Sequence, residues 1–190
     1  MTVQEVIQFA HNGNHEPALP APLRRAYDEP NNKPPMKALN LITKTPNDLA
    51  ALVARLTLGI VFFPHGAQKV FGWFGGYGFT GTMGFFTGTM HIPALFAFLA
   101  IAAEFAGSLG LITGLFTRIA AFGILSNMVV AIATVHGANG FFMNWYGNQK
   151  GEGYEYHLLV IGLALALIIR GGGLFSADAV IAKATATETK

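Results

Sequence analysis

Residues 49–71, LAALVARLTLGIVFFPHGAQKVF, constrain this chain more than any other stretch: an apolar run interrupted by Arg55, His65 and Lys69. As a helix rising about 1.5 Å per residue it is long enough to cross a hydrocarbon core of about 30 Å. Pro64 removes a backbone donor within it and predicts a kink, while Gly59 and Gly66 would let a second helix approach closely. A span that served only as an anchor would need none of these residues. An ionisable group in lipid costs about 2.5 kcal/mol or more, so Arg55 and His65 are expected to face protein or a wet cavity.

The whole chain agrees with a membrane setting. Of its 190 residues, 52% are hydrophobic and 12% charged, with 16 Phe, a composition too apolar for an ordinary soluble domain. It contains no cysteine, which excludes disulfides, thiolate metal sites and thiol redox chemistry by the chain itself; a redox role would need a cofactor or a partner. The net charge of +2 carries no Lys/Arg stripe interleaved with aromatics, so nucleic-acid binding is not expected.

Residues 1–47 hold seven of the nine prolines and predict an extended or disordered cytoplasmic arm. No continuous apolar segment of a secretory signal follows the start, and Met36 opens a segment that reads as an alternative start. Asn47 or Asp48 is the expected cap of the first span. A Gly-rich aromatic loop at 72–82 follows, with Trp73 and Tyr77 suited to an aromatic belt, and 81–93 reads as a short interfacial helix. The second span, 92–115, carries Glu104 near its middle beside a stripe of small residues: Ala100, Ala103, Gly107, Gly110 and Gly114. The third, about 118–135, has Ser126 and Asn127 at mid-depth and ends at His136. A second aromatic loop leads to the fourth span, 155–169, stopped by Arg170 and three glycines. Ser176 then caps a brief amphipathic tail helix.

The expected fold is therefore all-α: an integral membrane four-helix transmembrane bundle at 48–170, between the arm and a cytoplasmic tail at 171–190. Lys and Arg concentrate at the arm, Arg118, Arg170 and the tail, which by the positive-inside rule puts both termini in the cytoplasm and both aromatic loops outside.

Two groups of polar residues stand out. By depth along their spans, Arg55, Glu104 and Asn127 are expected to share a layer, either as a structural pair that locks the bundle or as proton or substrate chemistry. Nearer the outer surface, His65, Lys69, His136, Glu155 and His157 converge from three spans. His136 and His157 would serve equally well as interfacial polar residues, whereas His65, beside Pro64 inside a helix, calls for a partner or a function. Such a cluster could bind a metal, ligate a haem through two histidines, or relay protons to a quinone.

Residues 49 to about 180 resemble the DoxX family of small four-helix bacterial membrane proteins. The resemblance rests on Arg55 with Leu58-Gly59, His65-Gly66 followed by Lys69, Glu104 with Gly110, Gly114-Leu115-Phe116-Thr117-Arg118, His136, Tyr154-Glu155-Tyr156, and Gly171 to Gly173 with Ser176-Ala177-Asp178. It implies a multi-pass protein of the bacterial inner membrane, acting as the membrane subunit or quinone-facing partner of an oxidoreductase or redox-stress complex. On that reading His65, Glu155, His136, Glu104 and Arg55 carry the chemistry, and His65, His136 and His157 contact a cofactor, quinone first and haem second, with no resident metal site. Membrane lipids, a redox partner subunit and a second copy of the chain are the expected partners. A small proton-coupled transporter or permeability factor, or a scaffold without chemistry, are the alternatives.

Overall fold

The computed structural model describes residues 34–187, and every regular element among them is helical. Helix α1 is Pro34–Thr43, α2 Leu49–Phe71, α3 Gly78–Gly84, α4 Ala94–Thr113, α5 Thr117–Thr134, α6 Glu155–Arg170 and α7 Ala177–Thr187. Helices α2, α4 and α5 are long and apolar enough to cross a membrane; α6, with 16 residues, is shorter.

Helix α1 is the first departure from expectation, since it lies inside the stretch read as an unstructured arm. Pro34 and Pro35 stand in its first turn, where a missing N–H costs nothing because that donor has no intrahelical partner. The rest of the proline-rich arm, residues 1–33, lies outside the described residues.

Asp48 caps α2, its carboxylate accepting from Ala50 N at 2.9 Å and Ala51 N at 3.3 Å. The same carboxylate pairs with Arg170 at 2.7 Å, and this bond with the cap holds its pKa below the ordinary value. Helix α2 runs unbroken through Pro64. It ends at Gly72, whose left-handed backbone (φ 75°) returns its N–H to Gln68 O.

Glycine sets the contact between α2 and α4. A Cβ on Gly66 would lie 2.5 Å from Phe105 Cα, and one on Gly59 would lie 2.7 Å from Ile112 Cγ1. These two glycines let the antiparallel helices touch backbone to backbone, as expected. The small-residue stripe of α4 meets α5 more loosely: a Gly107 Cβ would sit 3.6 Å from Ala120 O, and one on Gly123 3.0 Å from Ala103 Cβ. Leu58, Leu111, Ile124, Ala164 and Leu167 fill the centre of the four-helix bundle formed by α2, α4, α5 and α6, each at most 2% exposed. Large apolar side chains such as Ile60, Phe96, Phe122 and Leu159 point outward, as a lipid-facing surface requires.

At one end of the bundle α3 continues into a π-helical segment, Phe85–Thr89, where the interfacial helix was expected. Trp73, Tyr77, Trp145 and Tyr146 are all exposed here, and this is called the aromatic end. The opposite end is built from two copies of one turn. Gly114-Leu115-Phe116 joins α4 to α5, and Gly173-Leu174-Phe175 joins α6 to α7. In each the Gly and the Phe have positive φ: 69° and 49° in the first, 70° and 53° in the second. Asp178, one residue into α7, accepts from Phe116 N at 2.7 Å and Thr117 N at 2.9 Å and so ties the two turns together. Ser176 caps α7 as expected, accepting from Ala179 N at 3.2 Å.

Candidate functional site

Arg55 and Glu104 do not meet. Gly66 abuts the Glu104–Phe105 backbone, so the residues of α2 level with Glu104 are those around 66–69, and Arg55 lies some 16 Å further along at a rise of about 1.5 Å per residue. Its guanidinium, 2% exposed, is surrounded by carbonyls at the end opposite the aromatic one. It donates to Gly172 O at 2.9 Å, Leu111 O at 2.9 Å, Ile112 O at 2.6 Å, Leu174 O at 3.1 Å and Phe175 O at 3.0 Å. Arg55 thus joins the C-terminal turn of α4 to the second Gly-Leu-Phe turn, and its rigid fork suits several acceptors at once.

The partner of Glu104 is Lys69, at 2.5 Å. The other carboxylate oxygen faces Asn127 Nδ2 at 3.4 Å, and that amide also donates to Ala100 O at 2.8 Å. Three helices therefore contribute one polar residue each to a single layer: Lys69 from α2, Glu104 from α4 and Asn127 from α5. Asn127 was expected in the layer of Glu104; Lys69 takes the place given to Arg55. The residue pattern explains why: Gly59, Phe62, Gly66 and Lys69 fall on one face of α2 at intervals of three and four, so the face that touches α4 through glycine must also present Lys69 to it.

This layer borders a cavity of about 1300 Å³ that runs between α4 and α5. Ala103, Gly107, Gly110 and Gly123 are among the residues that line it. Phe96, Leu99, Phe122 and Val130 line it and are each about half exposed or more, so it opens sideways onto the surface that faces lipid. Phe85, Phe86 and Met90 border it at the aromatic end.

His65, His136 and His157 all line this groove with Lys69, Glu104 and Tyr156, so the expected convergence of histidines exists. Its geometry differs from the expected one in two respects. Glu155 is absent from the lining; its Oε1 accepts from Met143 N at 2.8 Å and secures the loop before α6. His65 is exposed, its ring 6.2 Å from that of Phe62, so it stands at the groove's margin. The close pair is His136 and His157, with ring centroids 4.1 Å apart. His136 Nδ1 lies 2.8 Å from Glu152 O, and since a carbonyl only accepts, that nitrogen carries the proton. His157 is 6% exposed, and its Nδ1 has no hydrogen-bond partner among the described residues.

The donor set bears on the expected cofactors. No group of three metal-ligating side chains gathers among the described residues. Two imidazoles with centroids only 4.1 Å apart, tilted by 42°, leave no room for a porphyrin between them, so His136 and His157 do not fit a shared two-histidine haem site. A planar amphipath with an apolar chain and hydrogen-bonding oxygens does fit a groove that is hydrocarbon along its length and polar at Lys69, Asn127, Tyr156 and His157.

A model of the DoxX family matches residues 50–137. A Bacillus subtilis (strain 168) protein named "Putative oxidoreductase CatD" is 32% identical over 120 residues, which are 63% of this chain and 79% of that one. The chain belongs to the DoxX family. No solved structure matches it. The DoxX match contains Arg55, His65, Lys69, Glu104, Asn127 and His136, and stops short of Tyr156 and His157. Within this DoxX chain, therefore, the Lys69–Glu104–Asn127 layer lies inside the matched segment, while the buried histidine comes from α6 beyond it.

Proposed function

We propose that this DoxX protein is the membrane component of a quinone-linked oxidoreductase or redox-stress complex and holds a quinone in the groove between α4 and α5. The observation that carries the reading is the half-buried Lys69–Glu104–Asn127 layer, with Glu104 buried at its centre, bordering an apolar groove open to lipid. An ion pair in a bilayer is costly to keep and marks functional paths more often than anchors. A bound quinone would supply two-electron, two-proton chemistry, with electrons passing to or from a partner subunit. The chain's own part is to admit the ring from the membrane, exclude bulk water with Phe85 and Phe86, and offer protons. Lys69 and Asn127 are its hydrogen-bond donors, and the Glu104 carboxylate is its acceptor. The name of the Bacillus relative supports an oxidoreductase context.

On this reading the chain crosses the inner membrane four times. The basic arm, Arg118, Arg170 and Lys183 set the arginine end in the cytoplasm, and the aromatic end faces outward. A transporter is less well supported. Between the Glu104 layer and Arg55 the bundle is filled by Leu58, Leu111 and Ile124, and Ser108 turns its hydroxyl onto Phe105 O of its own helix at 2.7 Å.

The reading is tested by solvent extraction and mass spectrometry of protein purified in mild detergent. Wild type is expected to carry quinone approaching one per chain. The double variant Lys69→Met/Glu104→Met, which removes both charges and leaves neither orphaned, is expected to lose most of it. Phospholipid alone in the wild-type extract, or a haem absorption band in place of quinone, would overturn the proposal.

A further inference from the structure

We infer that the hydroxyl of Tyr156 is the hydrogen-bond donor that recognises the ligand's head, so that the groove selects an uncharged ring carrying an acceptor oxygen. This rests on the quinone reading above and adds the recognising residue, which comes from α6, beyond the segment that the family model matches.

Tyr156 belongs to the string Tyr154-Glu155-Tyr156, and the loop before α6 accounts for the first two. Tyr154 N donates to Gly140 O at 3.2 Å, and its ring meets that of Phe141 edge-on, with centroids 5.6 Å apart. Glu155 N donates to Phe141 O at 2.9 Å, while its carboxylate accepts from Met143 N. Both fasten the start of α6 to that loop, and neither lines the groove. Tyr156 does line it, half-buried, with its ring edge-on to that of His157. It is close enough to the Lys69–Glu104–Asn127 layer for the charge of Glu104 to act on it.

Among the described residues, the unpartnered side-chain polar atoms that are fully enclosed are Thr117 Oγ1 and His157 Nδ1, and no ligand can reach either. The Tyr156 hydroxyl has no hydrogen-bond partner there either, but it is accessible and stands in the lining. The other hydroxyls of the groove are taken: Thr113 donates to Leu109 O, Ser126 to Phe122 O and Thr134 to Val130 O, each at 2.8 Å within its own helix. Lys69 already donates to Glu104, and Asn127 to Ala100 O. Hydrocarbon offers no hydrogen bond, so a free hydroxyl in a groove open to lipid is stabilised by a ligand that brings one.

A phenol serves both redox forms of such a ligand, since it can donate to a quinone carbonyl or accept from a quinol hydroxyl without changing its charge. The head must itself be uncharged. Glu104 lies roughly 14 Å from either end of α4, and a charged lipid head is strongly disfavoured at that depth.

The test uses the full chain in quinone-free lipid nanodiscs, with a benzoquinone bearing a ten-carbon tail as the probe. Affinity is measured for wild type, Tyr156→Phe and Tyr154→Phe; each variant loses one hydroxyl and keeps its ring. Tyr156→Phe is expected to bind about three- to tenfold more weakly than wild type, and Tyr154→Phe to stay within about twofold of it. A fluorinated tyrosine placed at position 156 alone gives a ¹⁹F resonance that should move when the probe is added, a readout that does not depend on how the variants fold. Equal affinity of wild type and Tyr156→Phe, equal loss in both variants, or an unmoved resonance in probe-saturated protein overturns the inference and leaves the quinone reading standing. Failure of wild type to bind the probe at all removes both.

Discussion

At the scale of the residue, charge alone did not decide which side chains meet. Arg55 and Glu104 are the obvious pair in the sequence, and matching them by depth along their spans gave the wrong partner, because the register of α2 on α4 is set by Gly59 and Gly66. That signal was present: Lys69 is three residues past Gly66 and shares its face. The partners of Arg55 carried no such signal, since all five are backbone carbonyls, which any residue type can supply. We propose on that ground that Arg55 is architecture. Arg55→Lys, which keeps the charge but loses the fork, should destabilise the protein by about 3 kcal/mol or more in chemical denaturation, because buried acceptors are left unpaired. Wild-type stability in that variant would show that the charge, and not the carbonyl network, matters there.

At the scale of the element, caps were legible where side chains make them, as at Asp48 and Ser176. The four bundle helices fell within a few residues of their expected bounds because long apolar runs end at glycine, proline or charge. Helix α1 was obscured by proline density, although two prolines at a helix start are compatible with helix. The repeated Gly-Leu-Phe turn was visible in the sequence as two near-identical strings, and only the fold showed that they lie on either side of Arg55. Close approach also ranks differently from the expectation. The stripe on α4 drew attention to Gly107, yet a Cβ there would make only ordinary contact, whereas one on Gly66 would meet backbone. Gly66→Ala should therefore lower the melting temperature in detergent clearly more than Gly107→Ala, by an amount equivalent to about 1–3 kcal/mol of overpacking. Equal melting of the two variants would mean that α2 and α4 can separate without cost.

At the scale of the whole molecule, the groove could not be read from the sequence because its lining comes from helices far apart in the chain. Small residues on α4 and α5 predict contact, which they make, and only the fold shows that a groove also runs beside the Lys69–Glu104–Asn127 layer. Glu155 was expected among the histidines because it and His136 bracket the loop between the third and fourth spans; in the fold its Oε1 holds Met143 N in the loop before α6. The two ends of the bundle differ: the arginine end is tied together by Arg55 and the paired turns, the aromatic end carries the histidines, and the groove runs between them along α4 and α5. The central claim is that this groove is a quinone site reached from the bilayer, and photolabelling with an azidoquinone in native membranes, followed by peptide mapping, tests it most directly. The account predicts label on groove-lining positions of α4 and α5, such as those around Leu99 and Phe122, displaced by excess unlabelled quinone. Label confined to outward-facing positions of α2 and α6 such as Ile60 and Leu159, or label that excess quinone does not displace, would contradict it.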